Sequence, residues 1–212
     1  MGEYKTLMES IIKGDMKAAA AETQSSLDAG DSARSILDNG LITAMDEVGE
    51  RYSKGLIFVP QMLRSAKTMQ ECMKVLQPFF KEGDVISKGK VLIGTVKGDL
   101  HDIGKNLVSM MLEGAGFTIT DLGVDVSPDS FVQKAKEVEP DIVAMSALLS
   151  TTMPSMPKTI DALKKAGIRA KVKIMIGGAP VTDKYAHEIK ADSYASDAGS
   201  AVSKAKDLLG IS

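Results

Sequence analysis

The sequence predicts an α/β protein in two parts, a four-helix bundle followed by a five-stranded parallel sheet of flavodoxin or Rossmann type. Two observations lead there. Apolar residues recur at helical spacing up to about residue 80. Beyond about residue 90, short β-branched runs alternate with helical stretches. Between them "FFKEGDVISKGK" loses all periodicity and carries two glycines and several charges, so it is expected to be a linker able to flex. The expected domains are 1–85 and 86–212.

The helical half divides at its turn signals. Tyr4, Leu7, Met8, Ile11 and Ile12 form one apolar stripe. Asp15 suits the N-cap of a second helix that stops at Gly30. Asp31 or Ser32 suits the cap of a third, with Ile36, Leu37, Leu41, Ile42, Met45 and Val48 inward. Gly55 breaks that pattern, and Pro60 fits the first turn of a fourth helix carrying Met62, Ala66, Met69, Met73 and Leu76. Short connections predict an up-down bundle. In the second half "VLIGTV", "FTITDL", "DIVAMSAL", "VKIMIG" and "DSYAS" are the predicted strands. Helices are expected near 102–115, 128–138, 155–167, 181–190 and 198–209. Alternating strands and helices imply a parallel sheet with right-handed crossovers.

Composition excludes several classes. A net charge of −2 over 212 residues gives no electrostatic case for nucleic acid, and no basic run suggests a membrane surface. The longest uncharged stretch, "IVAMSALLSTTMPSMP", is short and studded with Ser, Thr and Pro, so it is no membrane span. "MGEYKTLMES" lacks the pattern of a secretory signal. A single cysteine, Cys72, fits a reducing cytoplasm and a place in the core.

In an open α/β sheet, ligands bind at the carboxyl ends of strands where the strand order reverses. The loops to consider are therefore "KGDLHDIG" after the first predicted strand and "SALLSTTMPS" after the third, with "IGGAP" and "YASDAG" beyond them. They combine small residues, hydroxyls and one of the chain's two histidines, which suits a slot for a bulky polar molecule. Ser146 stands where a receiver domain would need an aspartate, and no GxGxxG turn opens the first helix. His101, His187 and Cys72 are too few for a zinc site. A satisfied surface or core histidine remains the plain alternative for His101.

Asp99-x-His101-x-x-Gly104, Ser146-x-Leu148 and Gly177-Gly178 resemble the DxHxxG, SxL and GG signature of cobalamin-binding domains. Gly104 and Ser146 are separated by 41 residues, and Leu148 and Gly177 by 28, spacings similar to that family's. "GDLHDIGKN" is similar to the versions in methionine synthase and in methyl-transferring corrinoid proteins. "MDEVGERYSKGLIFVPQMLRSAKTMQECMKVLQPFF" resembles the helical cap of those proteins, so the resemblance covers almost the whole chain.

The resemblance implies a cofactor, cobalamin as methylcobalamin or a related corrinoid, with cobalt ligated from below by His101 in place of the dimethylbenzimidazole tail. It implies Asp99 on the second ring nitrogen and a distal hydroxyl from Thr152, which could instead cap the following helix. Gly98, Asp102, Ile103 and Gly104 would meet the cofactor around the histidine, though Asp102 could merely cap a helix. Ser146, Leu148, Gly177, Gly178 and Ala179 would line the tail's slot, with Tyr194 and Asp197 at its far end. Tyr52 and Val59 match the cap positions over the cobalt's upper face. The implied role is a cytoplasmic methyl carrier serving methanol, methylamines or betaine. Its partners would be a substrate:corrinoid methyltransferase, a second methyltransferase with tetrahydrofolate or coenzyme M as acceptor, and a reductive activator. A cobalamin-dependent sensor or regulator and an isomerase subunit are the rival classes. The absence of Trp, and of any His before His101, weighs against the sensor, and the helical half against the isomerase.

Overall fold

The computed structural model describes residues 4–80 and 87–211. The chain forms two compact units, Met1–Ile86 with Glu113–Gly116 and Ser87–Leu112 with Phe117–Ser212. Half of the expected linker, and the 85/86 boundary, fall in residues 81–86, outside the described residues.

The helical unit is built on the expected stripes. Helix α1 (Lys5–Lys13) buries Leu7 and Ile11, with Tyr4 just ahead of it, while Met8 and Ile12 sit half-buried at the stripe's edge. Helix α2 (Met16–Asp28) starts where Asp15 accepts the Ala18 N–H at 3.1 Å, and ends two residues short of Gly30. Of the two candidate caps for the next helix, Ser32 performs the task, accepting the Ser35 N–H at 3.1 Å. That helix begins as α3 (Ala33–Ser35), widens into a π-helical segment over Ile36–Ile42, and continues as α4 (Thr43–Ser53). The π segment was not expected, yet its cause lies in the sequence. Ile36 and Leu41, like Leu37 and Ile42, are five residues apart, too far for one face of a 3.6-residue turn. The wider turn puts all four inside. Helix α5 (Val59–Leu76) has Pro60 in its first turn and buries Met62, Ala66, Met69 and Leu76. Met73 is half-buried, and Cys72 occupies the inner position beside it. Helix α1 packs on α2, α4 and α5, which closes the bundle.

The second unit is a five-stranded, all-parallel sheet in the order β2-β1-β3-β4-β5. The strands are β1 (Lys90–Thr95), β2 (Thr118–Asp121), β3 (Ile142–Ser146), β4 (Lys173–Gly177) and β5 (Ser193–Ala195). Helices α6 (Ile103–Gly114), α7 (Pro128–Val138), α8 (Ser155–Lys165), α9 (Asp183–Glu188) and α10 (Ala198–Leu209) connect or follow them. Strands β1, β3 and β4 are covered on both faces, which is why they appear as near-continuous apolar runs. Their order reverses between β1 and β3, the flavodoxin arrangement. Thr95, Ser146, Gly177 and Ala195 are register partners in one row across the carboxyl ends of four strands. Among the described residues, no helix is long and apolar enough to cross a membrane.

Phe131, fully buried, sits beneath the sheet so closely that a Cβ on Gly94 would lie 2.9 Å from its ring. Phe131→Ala is expected to lower the stability of the second unit by about 3–5 kcal/mol, measured by urea unfolding.

Candidate functional site

After β1 the chain makes a tight turn, Val96 to Asp99, closed by the Asp99 N–H donating to the Val96 carbonyl at 3.1 Å. Gly98 occupies its third position at φ +87, a conformation that L side chains rarely adopt. The turn brings the Asp99 carboxylate into the interior with no exposure at all. Oδ2 there accepts the Leu148 N–H at 2.7 Å, the Leu149 N–H at 3.3 Å and the Thr152 hydroxyl at 2.7 Å. Oδ1 receives two donors from one residue, the His101 N–H at 3.1 Å and His101 Nδ1 at 2.8 Å. The His101 carbonyl accepts the Thr95 hydroxyl at 2.9 Å.

Burial pushes the Asp99 carboxyl up, but hydrogen bonds from Thr152, the His101 and Leu148 N–H groups and the His101 ring outweigh it. The net effect holds this carboxyl well below the usual carboxylate range. An ionised carboxylate only accepts, so Nδ1 carries the proton. In the neutral imidazole Nε2 then keeps its lone pair, on a ring that is half-exposed. This fixed tautomer and orientation is the arrangement that a metal-ligating histidine needs.

The sequence-predicted site residues fall into groups. Asp99, His101 and Thr152 form one hydrogen-bonded chain. Thr152 does not cap α8; its hydroxyl lies 2.8 Å from the Leu149 carbonyl besides Asp99. Asp102 stands just before α6, exposed, where it accepts the Asn106 side-chain amide at 3.1 Å. Ile103 and Gly104 open α6, and a Cβ on Gly104 would meet nothing within 4 Å. Ser146 ends β3 half-buried, and Leu148 supplies both an exposed side chain and the amide held by Asp99. Gly177 and Gly178 have an internal reason for being glycine. A Cβ on Gly177 would sit 2.9 Å from the Ala195 carbonyl oxygen, and one on Gly178 would sit 1.9 Å from that of Ala147. Ala179 is exposed beside them. Tyr194 is half-buried in β5, and Asp197 caps α10 by accepting the Ser200 N–H at 2.8 Å. Tyr52 and Val59 belong to the helical unit, half-buried on either side of a turn that exposes Leu56 and Phe58.

The sequence reading missed three apolar side chains and one cation. Leu100, Val124 and Leu149 are exposed at the same strand ends as Ile103 and Leu148, and exposure of 72% at Leu100 and 77% at Ile103 makes an apolar rim around His101. Scattered over three loops, they share no spacing that a linear reading could detect. Lys105 is buried, paired with Asp121 and 2.6 Å from the Asn106 side-chain oxygen, so a run of polar contacts continues from Asp102 through Asn106 and Lys105 to β2.

Residues 89–203 match a family model described as a B12 binding domain, and residues 4–77 match a second model of the same description. The chain belongs to the B12-binding corrinoid proteins. It is 43% identical over 198 residues to dimethylamine corrinoid protein 1 of Methanosarcina acetivorans, covering 93% of this chain and 91% of that one. A novel cobalamin-binding protein from Desulfitobacterium hafniense has a similar structure, with TM-score 0.84, 31% identity and coverage of 98% of this chain and 99% of that one. The methanol:cobalamin methyltransferase complex MtaBC from Methanosarcina barkeri matches with TM-score 0.83 and 26% identity, over 97% of this chain and 78% of that one.

The site fits the group that the family binds. A large macrocycle needs a broad apolar surface, and the exposed Leu100, Ile103, Leu148 and Leu149 supply one. Its metal needs an oriented donor, and His101 Nε2 is free to serve. In this corrinoid protein the oriented histidine and the exposed apolar side chains both stand at the carboxyl ends of a flavodoxin-like sheet.

The carboxyl of Asp99 stands below its unfolded value, near 3.9. Its contribution to stability is therefore complete above about pH 4 and is lost as pH falls through the folded-state value. Asp99→Asn is expected to lose about 3 kcal/mol between about pH 5 and 8, with the gap to wild type narrowing below about pH 4 in urea titrations.

Proposed function

We propose that the chain is a methyl carrier, with His101 as the lower ligand of a bound corrinoid. The observation that carries this reading is the fixed His101 tautomer, with Nδ1 tied to the buried Asp99 carboxylate and Nε2 left open on a half-exposed ring. When bound, the corrinoid supplies a cobalt centre that can take up and release a methyl group.

The chain's own residues position and shield. His101 offers Nε2 to the metal, and Asp99 keeps the proton on Nδ1 and raises the ring's basicity. Thr152 and the Leu148 and Leu149 amides hold the Asp99 carboxylate, so the ring's direction is set by the loop after β3. Leu100, Ile103, Leu148 and Leu149 would give the macrocycle an apolar surface and keep water from it. Ser146, Gly177, Gly178 and Ala179, along the strand ends, and Tyr194 and Asp197 beyond them, line the route for the nucleotide tail.

The donor we infer is a methylated amine, on the strength of the 43% identity to a dimethylamine corrinoid protein. The likeness to a complex named for its methyltransferase supports a substrate methyltransferase as the partner that delivers the methyl group. The further partners we infer are a second methyltransferase, with tetrahydrofolate or coenzyme M as acceptor, and a reductive activator. The buried free thiol of Cys72 agrees with a cytoplasmic site for this exchange.

Ligation is tested by electron paramagnetic resonance of the Co(II) form reconstituted with cobalamin. Labelling histidine with ¹⁵N is expected to change the nitrogen splitting, in wild type and in His187→Gln alike. His101→Ala is expected to lose this dependence on the histidine label, and Asp99→Ala to weaken ligation about 10- to 100-fold. An effect of ¹⁵N-histidine retained in His101→Ala would overturn the assignment. Methyl transfer from monomethyl-, dimethyl- or trimethylamine in the presence of the cognate methyltransferase tests the donor. Transfer from methanol alone would replace the amine reading.

A further inference from the structure

Asp99 is gripped at both ends, by its side chain and by its backbone. Its side chain is held by the loop after β3. Its backbone is held by the loop after β2, through Asp125. The Asp125 carboxylate accepts the Gly98 N–H at 2.8 Å and the Lys97 ammonium at 3.0 Å. The Asp125 N–H donates to the Asp99 carbonyl at 2.9 Å. One residue thus binds the peptide before Gly98 and the peptide after Asp99. Beside it Val126 donates to the Thr95 carbonyl at 2.9 Å and forms an isolated parallel bridge with Val96, which ties Asp125 to the end of β1.

A further feature separates Asp125 from an ordinary loop residue. Its φ of +53 lies in the left-handed region, where Asp and Asn are the side chains most readily accepted after Gly. Strained backbone of this kind persists only where the surroundings over-determine it, and it gathers at working sites. The Lys97 contact, by contrast, joins two largely exposed side chains and contributes little. The N–H of Gly98 is therefore the contact that matters.

We propose that Asp125 is a positioning residue for the Asp99–His101 pair. It holds the Asp99 backbone so that the carboxylate meets both donors of His101 at once. Both donors share Oδ1, so a shift of the Asp99 backbone must misalign the imidazole, the movable one of the two. The inference rests on the reading of His101 as the metal ligand, although its first measurement uses the protein without cofactor.

The variants separate acceptor from conformation. Asp125→Gly keeps the left-handed backbone and removes the acceptor. Asp125→Asn keeps both an oxygen for Gly98 and tolerance of positive φ. Lys97→Met removes only the exposed pair. In the cofactor-free protein, ¹⁵N shifts of the His101 ring are expected to show one tautomer, protonated at Nδ1, in wild type, Asp125→Asn and Lys97→Met, and a mixture in Asp125→Gly. In the cobalamin-loaded Co(II) form, the ratio of histidine-ligated to unligated cobalt is expected to fall about tenfold in Asp125→Gly and to stay within about twofold of wild type in Asp125→Asn. A folded Asp125→Gly with the wild-type tautomer and ligation ratio overturns the proposal. So does an Asp125→Asn as impaired as Asp125→Gly, because it retains the acceptor. If the wild-type spectrum shows no effect of ¹⁵N-histidine, the ligand reading fails, and the cofactor-free tautomers still decide whether Asp125 positions the ring.

Discussion

A carboxylate shut away from water stays ionised only if donors surround it, and those of Asp99 come from two separate stretches of chain. Two amides and a hydroxyl arrive from the loop after β3, and an amide and an imidazole from the loop that Asp99 itself starts. Asp99 therefore joins the two strands between which the sheet order reverses. Removing that charge strands several donors at once, so the site cannot be taken apart residue by residue. The histidine's tautomer, its direction and its access to solvent all follow from where this carboxylate lies.

The sheet explains how the loops come to meet there. Parallel pairing aligns Thr95, Ser146, Gly177 and Ala195 in a row, so four loops leave the sheet at one level. The short side chains in the row have packing reasons of their own. Gly178, at φ +125, lies against the Ala147 carbonyl so closely that no β-carbon fits. The open floor beside the histidine is thus a by-product of how tightly β3 and β4 end together. The apolar rim of Leu100, Ile103, Leu148 and Leu149 stands on that floor rather than inside the core.

Much of this was legible in the sequence, and the parts that were not share a physical cause. The five strands and their helices appear because buried parallel strands need continuous apolar runs and turns need glycine, proline and capping side chains. Asp99 and His101 are two residues apart, so their pairing is nearly local. Thr152 lies 53 positions from Asp99, and only a resemblance to a known motif connected them. The amides of Leu148 and Leu149 carry no side-chain signature. Asp125 meets the Asp99 turn through two hydrogen bonds to backbone groups and a left-handed φ, none of which composition or spacing encodes. The π segment is a different case. Its five-residue spacing was in plain view at Ile36, Leu41, Leu37 and Ile42, and a search for 3.6-residue periodicity passed over it.

The same hydrogen bonds bear on affinity as well as on chemistry. Each contact that orders the loops around Asp99 is internal to the protein, and the ligand supplies none of them. Their loss of conformational freedom is settled when the domain folds. A large, rigid guest then arrives at a surface that needs no further ordering on this side, and more of the contact energy remains available as affinity. A prearranged floor of this kind slows the departure of a bound guest without any additional contact.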